Sequence, residues 1–309
     1  MERPIFVFGS PRSGVSLLEN ILGIHPELAW LSQYNNLLPT HPTVSALSQL
    51  YQLPMLGALL YQIAWDRKLL GKSVLPIPYE SWNFWETNLP SFKRGVQATL
   101  NNPPSADDIS DFEVTTIRKI LDTCTSFQGK RRLFATYGDY PRIQYLSKAF
   151  PDALFIHIVR DGRAVCESYF RMNEQGFFQS WSERHLWFKN MPESWSTSFR
   201  EQHYNLFALG VYRWKYYLNL CRQESDLIPA ERFIQIHYED VVQHPITTIQ
   251  QIESFADLNS SQQARSFVTK RPPINYNIKW RKALTKEQLR QFFEIVTEGE
   301  FLSLLNDDI

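Results

Sequence analysis

Hydrophobic positions in this chain follow two patterns that alternate along its length. Short runs of apolar residues, rich in β-branched and aromatic side chains, occur at 5–8, 132–136, 154–159 and 233–237. Such runs are typical of strands that are buried on both faces of a parallel sheet. Between them, apolar residues recur every three or four positions, which predicts amphipathic helices. The alternation predicts an α/β fold with a doubly wound parallel sheet flanked by helices.

Two stretches depart from this alternation, and we interpret them as insertions, at about 44–108 and 171–200, in a single domain spanning residues 1–309. The first contains a helical pattern from Val44 to Lys72 and then a segment rich in proline and aromatic residues, Pro76–Glu86. Aromatic loops over an α/β core can bind rings and sugars, although a packed surface loop has the same composition. The second insertion is interpreted either as a lid or as a satellite hydrophobic cluster.

Composition excludes several classes of function. Lys plus Arg and Asp plus Glu both number 32, so we expect no nucleic acid partner and no general attraction to anionic membranes. No apolar run reaches membrane-spanning length, and the first strand begins almost at the first residue, so we expect no membrane span, no signal peptide and a cytoplasmic location. The three cysteines are widely spaced, which argues against disulfides or a zinc cluster, and no metal is expected.

The turn after the first strand has the composition of an anion-binding loop. Gly9 and Gly14 bracket it, and a helical pattern follows, so the first N–H groups of that helix would point at a phosphate, as in a P-loop-type fold. Val15, however, stands where the ATPase loop has its lysine, and the loop's cation is Arg12. An arginine fork suits a tetrahedral oxyanion. The predicted anion ligands are Arg12, Ser13, Gly14, Val15, Ser16 and Leu17.

A second strand-to-helix junction supports this interpretation. Arg160 directly follows the strand at 154–159, and Ser168 lies about two turns into the helix that is predicted to start near Gly162. In an open α/β sheet, ligands bind beyond the carboxyl ends of the strands. The loops after the two strands are therefore expected to face one crevice, with Arg160 and Ser168 forming a second phosphate site.

These two motifs resemble those of a known family. The segments PRSGVSLL and FIHIVRDGRAVCESY resemble the nucleotide-binding motifs of sulfotransferases that use 3′-phosphoadenosine 5′-phosphosulfate (PAPS), and the arginine in the first is similar to the bacterial and tyrosylprotein branch. Shorter resemblances follow in the family's order: His25-Pro26-Glu27, Pro141-Arg142-Ile143, Tyr238-Glu239-Asp240 and Lys279-Trp280-Arg281. The ordered set is more specific than any one of its members.

The resemblance implies an enzyme that moves a sulfuryl group from PAPS to a hydroxyl of a small-molecule, glycan or lipid acceptor, without a metal. It implies that Arg160 and Ser168 hold the 3′-phosphate and that Tyr238 packs near the adenine. It also implies that a basic loop near the C-terminus closes on the nucleotide, through Lys279, Arg281 and Lys282. The alternatives are a helix-capping neighbour for Tyr238 and a solvated basic turn for the loop.

The catalytic base is not evident from the resemblance. In the tyrosylprotein branch a glutamate follows the His-Pro pair, but here Gln33 stands near that position, and an amide cannot act as a base. That branch also has a lysine in its next strand motif, where this chain has Ala135. Arg12 is assigned a role in catalysis as well as in binding, because the leaving phosphate gains negative charge and needs a fixed cation. The base is sought among Glu80, Glu86 and His185.

Two other functions remain open from the sequence. One is a non-catalytic module that binds PAPS or the desulfated nucleotide, 3′-phosphoadenosine 5′-phosphate (PAP), which the changes at Gln33 and Ala135 favour. The other is a P-loop kinase, which Val15 disfavours because kinases need the lysine.

Overall fold

The fold is described from a computed structural model. It describes residues 2–54, 56–66, 74–92, 104–138, 140–174, 205–297 and 299–305, together with residues 193, 195, 197 and 200.

A five-stranded sheet with every pairing parallel lies at the centre of the described fold. Its strands are β1 (Ile5–Phe8), β2 (Leu28–Ala29), β3 (Arg132–Tyr137), β4 (Leu154–Val159) and β5 (Phe233–His237). The order across the sheet is β2-β3-β1-β4-β5, so β1 pairs with β3 on one side and β4 on the other. The chain therefore reverses its winding direction beside β1, which is where α/β sheets form a ligand crevice.

The two faces of the sheet bury different side chains. On one face the β1 residues Phe6 and Phe8 join an aromatic cluster, and Phe8 stacks on Tyr137 of β3 and on His157 of β4. On the other face, Ile5 and Val7 join a mainly aliphatic cluster. Both faces of β1 and β4 are buried and, apart from His157, these two strands are apolar, as their sequences predicted. Strand β5 is only partly buried and includes the polar residue Gln235.

Helices cover both faces, so the predicted doubly wound α/β sheet is confirmed. They are α1 (Val15–Leu22), α2 (Gln33–Leu37), α3 (Gly57–Asp66), α4 (Trp82–Asn88), α5 (Asp111–Phe127), α6 (Ile143–Ala149), α7 (Gly162–Glu174), α8 (Leu206–Ser225), α9 (Tyr238–Gln243), α10 (Pro245–Ala256), α11 (Gln262–Lys270), α12 (Trp280–Ala283), α13 (Lys286–Ile295) and α14 (Gly299–Leu302). The described residues also form four 3-10 helices, at Pro42–Gln52, Ala106–Asp108, Ala230–Arg232 and Asn277–Lys279. The aliphatic face packs on α1, α3 and α9 to α11, and most of the others cover the aromatic face.

The predicted helix from Val44 to Lys72 is wrong in its extent. That stretch contains the 3-10 helix Pro42–Gln52 and then α3, separated by a turn that includes Pro54. A proline lacks the N–H that a continuous helix needs, so the helix cannot run through it. Of the predicted lid at 171–200, residues 175–192 lie outside the described part.

Among helices in the described ranges, none has both the length and the apolar character needed to cross a bilayer.

Candidate functional site

The loop between β1 and α1 has an unusual backbone. Arg12 has a φ of 74° and Gly14 a φ of 106°, so two positions of this short loop are in the left-handed region. The Ser10 and Ser13 hydroxyl oxygens lie 2.5 Å apart inside the turn, which fixes its shape. The α1 helix then begins at Val15. Its first N–H groups come before any intrahelical acceptor and are available to an anion.

Gly14 is required by space as well as by conformation. A Cβ at this position would lie 2.6 Å from Cδ2 of Tyr238, closer than real contacts allow. The ring of Tyr238, at the start of α9, therefore packs directly on the loop. The glycine that the sequence assigned to an anion cradle brings α9 against the loop after β1.

The loops after β1 and β4 are joined by two hydrogen bonds. The Arg160 guanidinium donates through Nη1 to the backbone carbonyl of Arg12 at 2.9 Å. The Arg12 side chain donates through Nε to the hydroxyl of Ser168 at 3.0 Å. The structure therefore brings together Arg12, Arg160 and Ser168, as the crevice interpretation of the sequence required.

Arg160 is held on several sides. Its Nε donates to Oδ1 of Asn277 at 2.7 Å, and its guanidinium carbon lies 4.3 Å from the centre of the Tyr238 ring. Asn277 in turn donates to the buried carboxylate of Glu239, which also accepts from the backbone N–H of Asp161 at 3.1 Å. This chain of contacts fixes the direction of a guanidinium whose residue is only 7% exposed.

A cavity of about 490 Å³ lies next to these groups. Its walls come from the β1–α1 loop, from Arg160, from Tyr238 and from the segment before α12. The lining residues are Pro11, Arg12, Gly14, Val15, Ser16, Leu17, Glu80, Gly138, Arg160, Met172, Tyr238, Ile274 and Tyr276. Such a volume is in the range of small-molecule sites.

The electrostatics of this cavity favour an anion. Burial lowers the pKa of the Arg160 guanidinium, and the positive charge of Arg12 contributes to the lowering. Two guanidinium groups that disfavour each other's charge are both stabilised when an anion binds between them. Arginine forks and free helix N–H groups are the donor set that phosphate and sulfate oxygens require. The residues present therefore fit a ligand with phosphate or sulfate groups.

The cavity lining also includes a carboxyl group, that of Glu80. Oε2 of Glu80 accepts a hydrogen bond from the indole of Trp82 at 2.8 Å. A Cβ built on Gly138, just after β3, would lie 2.8 Å from Oε1 of Glu80. The absence of a side chain at Gly138 therefore lets Glu80 approach the end of β3. A carboxylate at the edge of an anion site is positioned to accept a proton from a bound hydroxyl group.

Gln33 positions the segment that carries Glu80. Its amide donates to the carbonyl of Leu75 and accepts from the N–H of Ile77, both at 2.8 Å. The N–H of Tyr79 donates to the carbonyl of Leu31 at 2.9 Å. Ser81, on the other side of Glu80, has a φ of 50°. The amide at Gln33 therefore acts as a clamp for residues 75–77.

The remaining residues predicted from the sequence lie elsewhere. Glu86 is on α4 and does not line the cavity as the described residues define it. Lys279, Arg281 and Lys282 are exposed and are likewise not among its lining residues; Lys279 lies over the Tyr276 ring, 4.3 Å from its centre. His185 is outside the described residues.

Sequence reasoning missed the groups that orient Arg160. Asn277 and Glu239 carry no motif of their own for this role, and Asn277 is 117 residues from Arg160. The apolar residues Ile274 and Met172 on the cavity wall were also missed. The only available signal was position, because Asn277 stands just before the basic segment and Glu239 just after Tyr238.

Comparisons with known proteins agree with this geometry. Residues 4–262 match the family model described as the sulfotransferase family. The structure is similar to sulfotransferase STF9 from Mycobacterium avium, with a TM-score of 0.56 and 18% identity, covering 99% of this chain and 77% of that one. It is also similar to sulfotransferase STF1 from Mycobacterium tuberculosis H37Rv, with a TM-score of 0.52 and 17% identity, covering 94% and 76%. Among curated proteins, none matches this sequence significantly.

Proposed function

The chain belongs to the sulfotransferase family, and on that premise we propose that it transfers a sulfuryl group from PAPS to a hydroxyl group of an organic acceptor. The observation that carries the proposal is one cavity that is lined by Arg12 and Arg160 and also by Glu80. The acceptor classes that fit are a small metabolite, a carbohydrate or a lipid.

The two arginines would divide the donor's anionic groups between them. Arg12 and the first N–H groups of α1 lie beside the turn and suit the 5′-phosphosulfate, where charge grows as the bond to the sulfuryl group breaks. Arg160, together with Ser168, lies one loop away and suits the 3′-phosphate, which distinguishes this donor from ATP. The Tyr238 ring, already covered by Arg160 on one side, lines the same cavity and suits contact with the adenine.

The acceptor's proton has to leave as its oxygen attacks the sulfur atom. A new S–O bond forms to the acceptor oxygen, the S–O bond to the phosphate breaks, and PAP leaves with the bonding electrons. Glu80 is the carboxylate on the cavity wall, so we assign it as the base that takes the proton. The chemistry needs fixed cations and one base, and the cavity supplies both.

Isothermal titration calorimetry with PAP, with and without Mg²⁺, tests the donor assignment. We expect PAP to bind without Mg²⁺ and ATP to bind more weakly whether or not Mg²⁺ is present. Tight, Mg²⁺-dependent ATP binding would instead indicate a kinase. PAP binding with no sulfate transfer across an acceptor screen would indicate the non-catalytic nucleotide-binding module that the amide at Gln33 favours.

Arg160→Ala should weaken PAP binding by about 10- to 100-fold, because one charge-assisted contact to the 3′-phosphate is lost. Adenosine 5′-phosphosulfate lacks that phosphate, so the dissociation constant of this nucleotide should change by less than about threefold in the same variant. As a matched variant, Asn277→Ala keeps the charge of Arg160 but removes its 2.7 Å hydrogen bond, and should give a smaller loss with the same selectivity. Equal losses for both nucleotides would mean that Arg160 only supports the loop of Arg12.

Gln33→Glu should not restore a base, even though it introduces the acid found near this position in the tyrosylprotein branch. The carboxylate would lose the donor to Leu75 and face that carbonyl oxygen instead, so we expect a loss of about 1–3 kcal/mol in the free energy of unfolding. Because the clamped segment carries Glu80, kcat should fall as well.

Gln128→Glu is the matched control for that variant. The Gln128 amide makes the same pair of bonds, to the N–H of Trp30 at 3.1 Å and to its carbonyl at 2.8 Å, but does not line the cavity. Urea unfolding should show a similar loss of stability for both variants, and steady-state assays should show a lower kcat only for Gln33→Glu. A higher kcat for Gln33→Glu would place the base at residue 33.

A further inference from the structure

A second carboxyl group lies behind the cavity, and the proposed reaction does not use it. Glu19 is on α1, its residue is only 6% exposed, and its carboxyl group accepts a hydrogen bond from the hydroxyl of Thr136 on β3. Glu19 follows Val15 by four residues, so the two lie on the same face of α1, one turn apart. Since Val15 lines the cavity, Glu19 lies one turn below its wall.

The end of β3 contacts both carboxyl groups. Thr136 donates to Glu19, and Gly138, two residues further along, is the residue that Glu80 approaches. Two residues of extended chain span roughly 6–7 Å. The carboxyl groups of Glu19 and Glu80 therefore both lie at the end of β3, close enough for the charge of Glu80 to act on Glu19, one buried and one on the cavity wall.

We propose that Glu19 is a positioning residue for the acceptor base: while its buried carboxyl group keeps its proton, Glu80 remains the single anion beside the acceptor. This inference rests on the proposed function, because it takes Glu80 as the group that accepts the acceptor's proton. It adds a residue that touches neither the donor nor the acceptor but controls the charge at the reacting centre.

The charge states follow from burial. Burial raises the pKa of Glu19 from 4.5 to about 8; the hydrogen bond from Thr136 acts in the opposite direction, and the negative charge of Glu80 adds to the increase. At neutral pH Glu19 is therefore protonated. The charge of Glu19 also acts on Tyr61 of α3, which stays neutral because burial raises its pKa well above its usual value.

Loss of the Glu19 proton changes the site in two ways. It places a second negative charge at the end of β3, near Glu80, so Glu80 is no longer the single anion beside the acceptor. It also adds repulsion toward the anionic sulfuryl group. Turnover should therefore fall as the pH rises above about 8. In the reaction itself the acceptor proton moves to Glu80, and Glu19 retains its own.

The test compares the pH dependence of kcat in the wild type and two variants. The wild type should lose about 15-fold between pH 8 and pH 9.5, because an acid with a pKa of about 8 is about half protonated at pH 8 and about 3% protonated at pH 9.5. Glu19→Gln is always neutral and should lose this alkaline limb. Thr136→Val removes a bond that lowers the pKa of Glu19, so its limb should move to higher pH. An unchanged limb in Glu19→Gln would overturn the proposal.

Glu224→Gln is the matched control. Glu224 is a second buried carboxyl group on α8, where burial raises its pKa to about 7, and it accepts from the N–H of Ile143 at 2.6 Å, away from the cavity. This variant should keep the wild-type alkaline limb of kcat. A control that also lost the limb would show that buried carboxyl groups affect turnover only through stability, which would contradict the proposal.

Infrared titration gives a result that needs no turnover. In the Glu224→Gln variant, the carbonyl band of a protonated carboxyl group should disappear as the pH rises through about 8. In the double variant with Glu19→Gln, that band should be absent at every pH. Adding Glu80→Gln should move that titration to lower pH, because a negative charge beside Glu19 is removed. No such shift would overturn the pairing of the two groups. If the titration of Glu19 shifts in this way but the protein transfers no sulfate to any acceptor, the interaction between Glu19 and Glu80 is supported and the proposed function is refuted.

Discussion

Glu80→Gln is expected to lower kcat by roughly 10²–10⁴-fold while leaving the affinity for PAP within about twofold, as removal of a general base does. Glutamine keeps the shape of the side chain, and its carbonyl oxygen can still accept the hydrogen bond from Trp82. What it loses is the ability to take a proton from the acceptor. The acidic limb of the pH–rate profile, which reports the protonation of this carboxylate, should disappear as well.

Glu86→Gln is the matched control for this variant, since it changes a carboxylate six residues away that does not line the cavity. It should keep kcat close to that of the wild type. Initial-rate measurements over pH 5–9 with saturating PAPS would separate the two outcomes. If Glu80→Gln, Glu86→Gln and His185→Ala all turn over like the wild type, the base lies elsewhere or the acceptor arrives already ionised.

Arg12→Ala should lower kcat by roughly 10²–10³-fold and should weaken PAP binding much less, as the loss of a donor to charge that grows in the transition state does. The Arg12 side chain is exposed toward the cavity and makes a 3.0 Å bond to Ser168, so its guanidinium is held near the N-terminus of α1. Single-turnover kinetics beside equilibrium titration with PAP would measure both effects.

Two further variants at this position separate charge from geometry. Arg12→Lys keeps the charge but loses the planar fork, so it should recover only part of kcat. Ser168→Ala removes the partner of Nε and should have an effect smaller than that of Arg12→Ala. A loss in Arg12→Ala that is confined to PAP affinity would assign Arg12 to ground-state binding.

The sheet could be predicted from the sequence because its strands are short and mostly apolar, with few polar residues such as Thr136 and His157. The strands at 154–159 and 233–237 have the predicted bounds, and the β3 strand extends one residue beyond the prediction. The segment after the His-Pro pair was predicted less well. The sequence at 28–38 predicts a short strand and then a loop, whereas in the structure β2 has only two residues and the helix α2 follows it. Two-residue strands are set by their partners in the sheet, and local periodicity cannot reveal them.

The candidate site was predictable only where local motifs carried it. Arg12 and Arg160 each follow a strand, so the rule that ligands bind at strand ends was sufficient to place them in one crevice. From the sequence, Gln33 could be interpreted only as the place of a missing base. Its role as a clamp was not predictable, because its hydrogen bonds reach residues 75 and 77, more than 40 positions away. Glu19 was not noticed at all, because a single acid in an apolar helix reveals its burial only when Thr136 is placed beside it.

The left-handed backbone at Arg12 and Ser81 has a consequence for thermal tolerance. Each residue adopts a φ that glycine would adopt with less strain, so the native backbone is strained at these two places. Selection for higher melting temperature should therefore recover Gly or Asn at Arg12, and these replacements should lose turnover as they gain heat resistance. Ser81 should be retained, because its buried hydroxyl donates to the carbonyls of Ser32 and Tyr79 and offsets the strain. The turn of Arg12, which lines the cavity, is where durability and catalysis compete.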